Sequence, residues 1–437
     1  MTRFLVISHD MVGSHMAGPG IRYWEISRGL AARHRITLAC PNQTDLPGQG
    51  IELAAYNRQD PDSLTALVQR AESLLLCGDT LELFPWIKDC GKPIVVDLYD
   101  PFILENLEIN RSLSVTEQQA RQESGLRVLK NLLETGDFFL CANLRQRDFW
   151  LGMLAAWGRL TPEAYRHDPS LEALIAVVPF GLPVEPPRKN RPVLKGVWPG
   201  IRNEDKVVLW GGGVWDWLDP ISAVRAMGWL CSRRDDVRLF FLGTRHPNRE
   251  AVPEMRASLD ARRLSEEMGL LDRYVFFNDW VPYPERGDYL LEADLGISLH
   301  LDLVETRFSS RTRLLDYFWA GLPMVITRGD PLAEQVQANG LGLLVDFQDS
   351  EGAGKALLQL LEQPQLRDSL QTRFQGVRDS LHWGTACAPL LRFCDRPRLA
   401  ARGERTTTPQ VPAAGADVFS WAISRLTGIR SKPRTGS

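Results

Sequence analysis

Residues 207–217 read Val-Val-Leu-Trp-Gly-Gly-Gly-Val-Trp-Asp-Trp. The first four form a short apolar run rich in β-branched and aromatic side chains, and three glycines end it. That is the pattern of a buried strand delivering the chain into a turn. Consecutive glycines let backbone N–H groups approach a phosphate closely, and they serve equally well as a tight turn with no ligand. The surroundings decide what kind of sheet this strand belongs to.

Upstream, Pro179–Pro199 holds six prolines and several charges and reads as a linker. Before it, short apolar runs alternate with helical patterns. Strands are expected at Phe4–Ser8, Ile36–Ala39, Ser73–Leu76, Pro93–Val96, Asp137–Ala142 and Ala176–Val178. A Gly18-Pro19-Gly20 loop follows the first, and Tyr23, Ile26 and Leu30 mark a helix after it. Downstream of residue 217 the alternation restarts, with strands expected at Arg238–Leu242, Val275–Asn278, Leu295–Leu299, Met324–Thr327 and Gly342–Val345. Strand–helix alternation implies a parallel, doubly wound sheet, and its restart after a linker implies a second one. The expected fold is therefore α/β, with two Rossmann-like domains facing across a cleft: residues 1–185, residues 186–395, and a tail at 396–437.

The 437 residues suit two domains, and 44% hydrophobic with 24% charged residues suits a globular protein. A net charge of −3 gives no basic footprint for nucleic acid. Seven scattered cysteines without a CxxC argue against a disulfide framework or a zinc site and for free thiols in a reducing compartment. No apolar run is long enough for a signal peptide or a transmembrane helix, so a cytoplasmic location is expected.

Ligands of open parallel sheets sit beyond the carboxyl ends of the strands. Among the segments there, Glu305–Pro323, ETRFSSRTRLLDYFWAGLP, is the most informative. Ser309 or Ser310 can cap a helix whose apolar face is Leu314, Leu315, Phe318 and Trp319. A helix amino end suits a diphosphate, and Arg307, Arg311 and Arg313 flank it. Glu305 and Asp316 can accept hydrogen bonds from sugar or ribose hydroxyls. The alternative is a solvated charged face with local ion pairs.

The stretch ETRFSSRTRLLDYFWAGLPMVITRGD (305–330) resembles the signature of the retaining family-4 glycosyltransferases of the GT-B fold. Asp316, Gly321 and Pro323 match its second acid, its glycine and its proline. GDPLAEQVQANGLGLLVDFQD (329–349), VRLFFLGTRHPN (237–248), YVFFNDWVPYPERGDYLLEADLGISLH (274–300) and VVPFGLP (177–183) resemble further family segments in the same order, so the likeness spans about residues 1–395. It implies that Asp316 binds the ribose, that Glu305 contacts the donor sugar, and that the backbone of Ser309, Ser310, Arg311 and Thr312 holds the diphosphate beside Gly212 and Gly213. The base would lie near Trp280, Val281 and Pro282. Gly18, Gly20 and Arg22 would line the cleft from the first domain, and Asp100 would meet the acceptor. Two departures stand out. Ten residues, not the usual seven, separate Glu305 from Asp316, with Phe308 at the ordinary position of the first acid. The family's Arg and Lys after the strand at 207–210 are missing, which leaves Arg307, Arg311, Arg245 and Arg22 to neutralise the diphosphate.

The resemblance thus implies transfer of a sugar from a nucleotide-diphosphate sugar to a glycan or lipid-linked acceptor. The expected reaction retains configuration and needs no cofactor or metal. The one Asp-x-Asp, Asp60-Pro61-Asp62, reads as a turn before a helix. If the reaction inverts, a base is required, and Asp100 is the candidate. His15, His246 and His300 are other titratable groups near strand ends. The rival readings are a sugar-nucleotide epimerase of the same fold and a non-catalytic sugar-nucleotide-binding or scaffold protein. In the tail, Phe419, Ala422, Leu426 and Ile429 have helical spacing with Arg425, Arg430, Lys432 and Arg434 nearby, a pattern suited to peripheral contact with an anionic membrane.

Overall fold

The computed structural model describes residues 1–249 and 252–400. The tail helix expected at Val418–Arg430, with its membrane contact, lies outside the described residues. Among them, no helix is long and apolar enough to cross a membrane.

Two parallel sheets form. The first comprises β1 (Arg3–Ile7), β2 (Arg35–Cys40), β3 (Glu52–Ala55), β4 (Ser73–Leu76), β5 (Ile94–Asp97), β6 (Phe138–Cys141) and β7 (Ile175–Val177), in the order β3-β2-β1-β4-β5-β6-β7. The second comprises β8 (Lys206–Gly213), β9 (Val237–Gly243), β10 (Val275–Phe277), β11 (Leu295–Ser298), β12 (Met324–Thr327) and β13 (Gly342–Val345), in the order β10-β9-β8-β11-β12-β13. Each order reverses once, at β1/β4 and at β8/β11, which opens a crevice at the carboxyl ends of those strands. The inner strands are buried throughout, as parallel sheets covered on both faces require. β3 was not expected from the sequence. It is an edge strand, half-exposed, and its Glu52-Leu53-Ala54-Ala55 has no β-branched or aromatic residue, so its strand signal is weak.

The glycines at 211–213 do not form a loop. They continue β8 through a bulge, since Trp210 pairs with Phe241 and Gly213 with Gly243, one extra residue on the β8 side. Gly212 sits at φ +68°, which favours glycine. Tyr317 packs beneath: its Oη accepts from the Gly211 N–H (2.8 Å) and faces the carbonyls of Leu209 and Ile297.

The proline-rich segment is pinned to the second sheet's helices. Glu292 accepts from the N–H groups of Val193, Leu194 and Lys195, and Trp319 donates to the Glu185 carbonyl. Where the sequence reading runs the second domain to residue 395, the chain crosses back earlier. Leu182 and Trp383 bond through their backbones, and Phe393 stacks on Phe138 of β6 with centroids 4.8 Å apart. The helices Trp383–Ala386 and Ala388–Asp395 therefore close over the first sheet. All seven cysteines are free.

Candidate functional site: the interdomain cleft

A cleft of about 950 Å³ opens between the carboxyl ends of the two sheets. On the first-domain side the helix Gly18–Ala31 points its amino end into it, with Gly18 and Pro19 on the lining. Gly20 is buried one residue on, where any Cβ would come within 2.2 Å of the Met11 carbonyl. Arg22 lies beneath the cleft rather than in it. It is fully buried, forms a two-pronged pair with Asp97 (2.5 and 2.9 Å), donates to the Val178 carbonyl, and lies against the paired rings of Tyr99 and Phe180. Its charge is spent on Asp97, and the expectation that it lines the cleft is corrected.

Asp100 does line the cleft, and the structure adds a partner that the sequence did not reveal. Glu105, on the helix Phe102–Ile109, shares a hydrogen bond with Asp100 on the same wall. Burial pushes the Asp100 carboxyl up to about 6, with the charges of Glu305 and Asp97 adding to it. Burial also pushes the Glu105 carboxyl well above its usual range, reinforced by Asp100 and Glu305. Two close carboxyls cannot both ionise freely, so the pair tends to share a proton. His9 also faces the cleft. Burial lowers its pKa, and its Nδ1 meets the Cys77 thiol at 2.9 Å.

The second-domain wall is built by Ser309–Asp316. The helix Arg313–Ala320 starts there, ended by Gly321 at φ +65°. Ser309, Ser310, Arg311, Thr312 and Asp316 all line the cleft, as do Gly212, Gly213 and Trp280. Asp316 lies one turn into the helix. Burial raises its pKa, and Arg286 opposes that rise from 3.1 Å. Arg286 in turn lies over the rings of Tyr283 (3.7 Å) and Trp319 (4.5 Å). An aromatic wall adjoins. Trp215 stacks on Trp217, His246 lies 5.8 Å from Trp215 and from Trp280, and all four line the cleft. Trp215 and Trp217 closely follow the glycines in sequence, but their meeting with His246 and Trp280 is tertiary.

Several expected site residues fall elsewhere. Glu305 is 2% exposed and gives both carboxylate oxygens to Arg311, at 3.0 and 2.7 Å, so it buttresses the loop rather than facing a sugar. The enlarged loop folds into the short helix Val304–Phe308, which turns Glu305 inward. Arg307 is exposed and faces a separate hollow with Arg145 and Phe347. Val281 is core, and Pro282 does not reach the cleft. Arg245 is engaged by Glu254 and Asp279. His300 is buried against the Arg328 carbonyl (3.1 Å), with burial lowering its pKa to about 3, and His15 is off the cleft. The Asp60–Asp62 turn is exposed. Among the described residues, no group of three or more His, Cys, Asp or Glu side chains is arranged to hold a metal.

Of the three arginines expected to flank this helix start, Arg313 is the one that lines the cleft without an ion pair among the described residues. Arg313, the first residue of its helix, is 8% exposed. It donates through Nη2 to the Gly213 carbonyl (2.8 Å), and its Nη1 is buried without a partner. As a cation in the first turn it opposes the helix dipole. The first domain grips this same loop: Gln146 donates to the Tyr99 and Phe308 carbonyls, both at 2.8 Å, and Asn143 reaches the Phe308 and Ser309 carbonyls.

No family model matches the chain, and no curated protein matches its sequence. Solved structures do match its fold. Sucrose-phosphate synthase from Thermosynechococcus elongatus aligns with TM-score 0.62 at 14% identity, over 90% of this chain and 98% of that one. WaaG, a glycosyltransferase involved in lipopolysaccharide biosynthesis, aligns with TM-score 0.61 at 17% identity, over 90% and 98%. Anabaena HepE in complex with UDP-glucose aligns with TM-score 0.62 at 13% identity, over 90% and 100%. These are GT-B glycosyltransferases, and the chain has the GT-B fold of two Rossmann-like domains.

Proposed function

We propose that this protein transfers a sugar from a nucleotide-diphosphate sugar to a glycan or lipid-linked acceptor, in the manner of the family-4 enzymes. The observation that carries this reading is the placement of Ser309–Thr312, the amino end of their helix and Asp316 on one wall of a cleft whose other wall holds Asp100 and Glu105. A helix amino end attracts the diphosphate. Asp316, one turn in, accepts from the ribose hydroxyls, and the Trp280–His246 wall offers the base a stacking surface. The acceptor approaches from the Asp100–Glu105 side.

Configuration is retained on this reading. The acceptor hydroxyl attacks the anomeric carbon on the face that the phosphate leaves. The bond from anomeric carbon to phosphate oxygen breaks with its electron pair on that oxygen, which takes the acceptor's proton. The products are the glycoside and a nucleoside diphosphate. Asp100 and Glu105 orient the attacking hydroxyl, and protein cations rather than a metal balance the leaving group.

A thermal-shift screen of UDP-, GDP-, ADP- and dTDP-sugars against the full chain, followed by acceptor assays in EDTA, tests the proposal. One donor raises the melting temperature by mass action, and acceptor-dependent nucleoside diphosphate release survives chelation. An α-linked donor yields an α-linked product by NMR. A chain that binds none of these donors overturns the reading.

A further inference from the structure

We infer that Arg313 is the counter-charge for the donor's diphosphate, standing in for the cations absent from residues 211–224. The inference rests on the proposed nucleotide-sugar reading of the same cleft. Four arginines are buried among the described residues: Arg22, Arg238, Arg311 and Arg313. Three have a carboxylate, namely Asp97 for Arg22, Asp205 for Arg238 and Glu305 for Arg311. Arg313 has a carbonyl on one nitrogen, a buried Nη1 with no partner, and no ion pair among the described residues.

A buried guanidinium without a counter-ion is costly, and the cost is compounded here. Arg313 begins an eight-residue helix whose amino end is itself positive, and Arg311 stands two residues away. Burial, with Arg311 opposing its charge, lowers its pKa to about 10, so it remains a cation at neutral pH. Positive potential is thus concentrated on one side of a cleft that Arg313 itself lines. A singly charged carboxylate would satisfy it only partly, whereas a diphosphate brings at least two negative charges and planar oxygen pairs that match the guanidinium fork. The β8 bulge completes the device. It turns the Gly213 carbonyl onto Nη2, which fixes the fork while Nη1 stays free. Because negative charge on the diphosphate grows as the sugar departs, the same side chain acts on the leaving group as well as on the bound donor.

The test uses the full chain with Arg313→Met, which removes charge and donors, and Arg313→Gln, which removes charge but keeps a donor for Gly213. UDP, GDP, ADP and dTDP are titrated, each against its nucleoside, and inorganic pyrophosphate is titrated alone. Wild type binds one nucleoside diphosphate more tightly than its nucleoside. Both variants shrink that gap at least about tenfold. Pyrophosphate binding falls in parallel, and Arg313→Lys recovers part of the loss. The unliganded Arg313→Met protein melts no lower than wild type, since an unbalanced buried charge has been removed. If Arg313 is only a staple for the bulge, the variants melt lower and the gap is unchanged, which overturns the inference alone. Should wild type bind neither a nucleoside diphosphate nor pyrophosphate, the inference falls together with the proposed function. If Arg313→Met fails to fold, Arg313→Gln decides.

Discussion

On the first-domain wall of the cleft stand Asp10, Asp79, Asp100 and Glu105, with Arg58 held by Asp79; on the second-domain wall stand Arg311 and Arg313, with Asp316 held by Arg286. Both walls are built alike, from strand ends and a helix amino end at the reversal of a parallel sheet. The fold therefore supplies the cleft twice over without deciding what enters from which side. The side chains decide it. A wall with an unbalanced cation selects a polyanion, and a wall whose Asp100 and Glu105 carboxyls are desolvated selects hydroxyl groups. The proposed direction of transfer, donor on the second domain and acceptor on the first, is a reading of that asymmetry.

The most damaging way to disturb it is to unbalance the second wall further. Glu305→Ala leaves Arg311 buried without its carboxylate beside an already unbalanced Arg313. Breaking a buried pair by removing one partner typically costs about 3–5 kcal/mol. Urea unfolding should show a loss of that size, against none for Arg313→Met. A Glu305→Ala protein as stable as wild type but devoid of donor binding would return Glu305 to the site and sink its assignment as a buttress.

Asp316→Ala comes next. A hydrogen bond to a charged group contributes about 1.5–3 kcal/mol, so nucleotide affinity should fall about 10- to 150-fold. The loss should be equal for a nucleoside and its diphosphate, because the ribose is common to both. A loss confined to the diphosphate would mean that Asp316 acts through charge, not through the ribose.

The first wall is sharpened through pH and rate. Asp100, with its folded pKa raised from 3.8 to about 6, binds its proton more tightly in the folded chain. Its contribution is favourable below the unfolded value and is lost as pH rises through the folded one, so stability should decline between about pH 4 and pH 6. The double variant Asp100→Asn, Glu105→Gln should flatten that part of a melting-temperature profile. On a retaining path Asp100→Asn slows turnover by no more than about tenfold, whereas loss of a general base removes about 10²- to 10⁴-fold. The larger loss would favour inversion.

The limits of the sequence follow the same asymmetry. Both parallel sheets were legible because their strands are continuous apolar runs between helical patterns, and only the half-exposed edge strand β3, which lacks β-branched and aromatic residues, escaped. The second wall was largely legible, since Ser309–Asp316 is contiguous and a helix start carries its meaning locally. One of its residues still misled, and another could not be singled out. Glu305 looked free because a pairing six residues away depends on the short helix Val304–Phe308, and nothing in the sequence separates Arg313 from Arg307 and Arg311, the other arginines flanking the helix start, because its burial and its lack of a carboxylate are tertiary. The first wall was barely legible. Asp100 was found at a strand end, but Glu105 becomes its partner only through the turn into the helix Phe102–Ile109, and Arg22 is claimed by Asp97, 75 residues away.

The smallest effect concerns the seam between the walls. Tyr283 of the second domain donates its hydroxyl to Glu25 (2.9 Å) and its backbone N–H to the Ser14 carbonyl (2.7 Å) in the first, while its ring lies under Arg286. Arg28 also holds Glu25, so the carboxylate is not orphaned when the hydroxyl goes. Tyr283→Phe should therefore destabilise by only about 1 kcal/mol and leave nucleotide affinity unchanged, since the ring that supports Arg286 and, through it, Asp316 remains. Tyr283→Ala removes that ring and should weaken the nucleotide as well. Calorimetric titration of the two variants separates the roles. Equal affinities in both would show that Arg286, which also lies over Trp319, holds Asp316 without the Tyr283 ring.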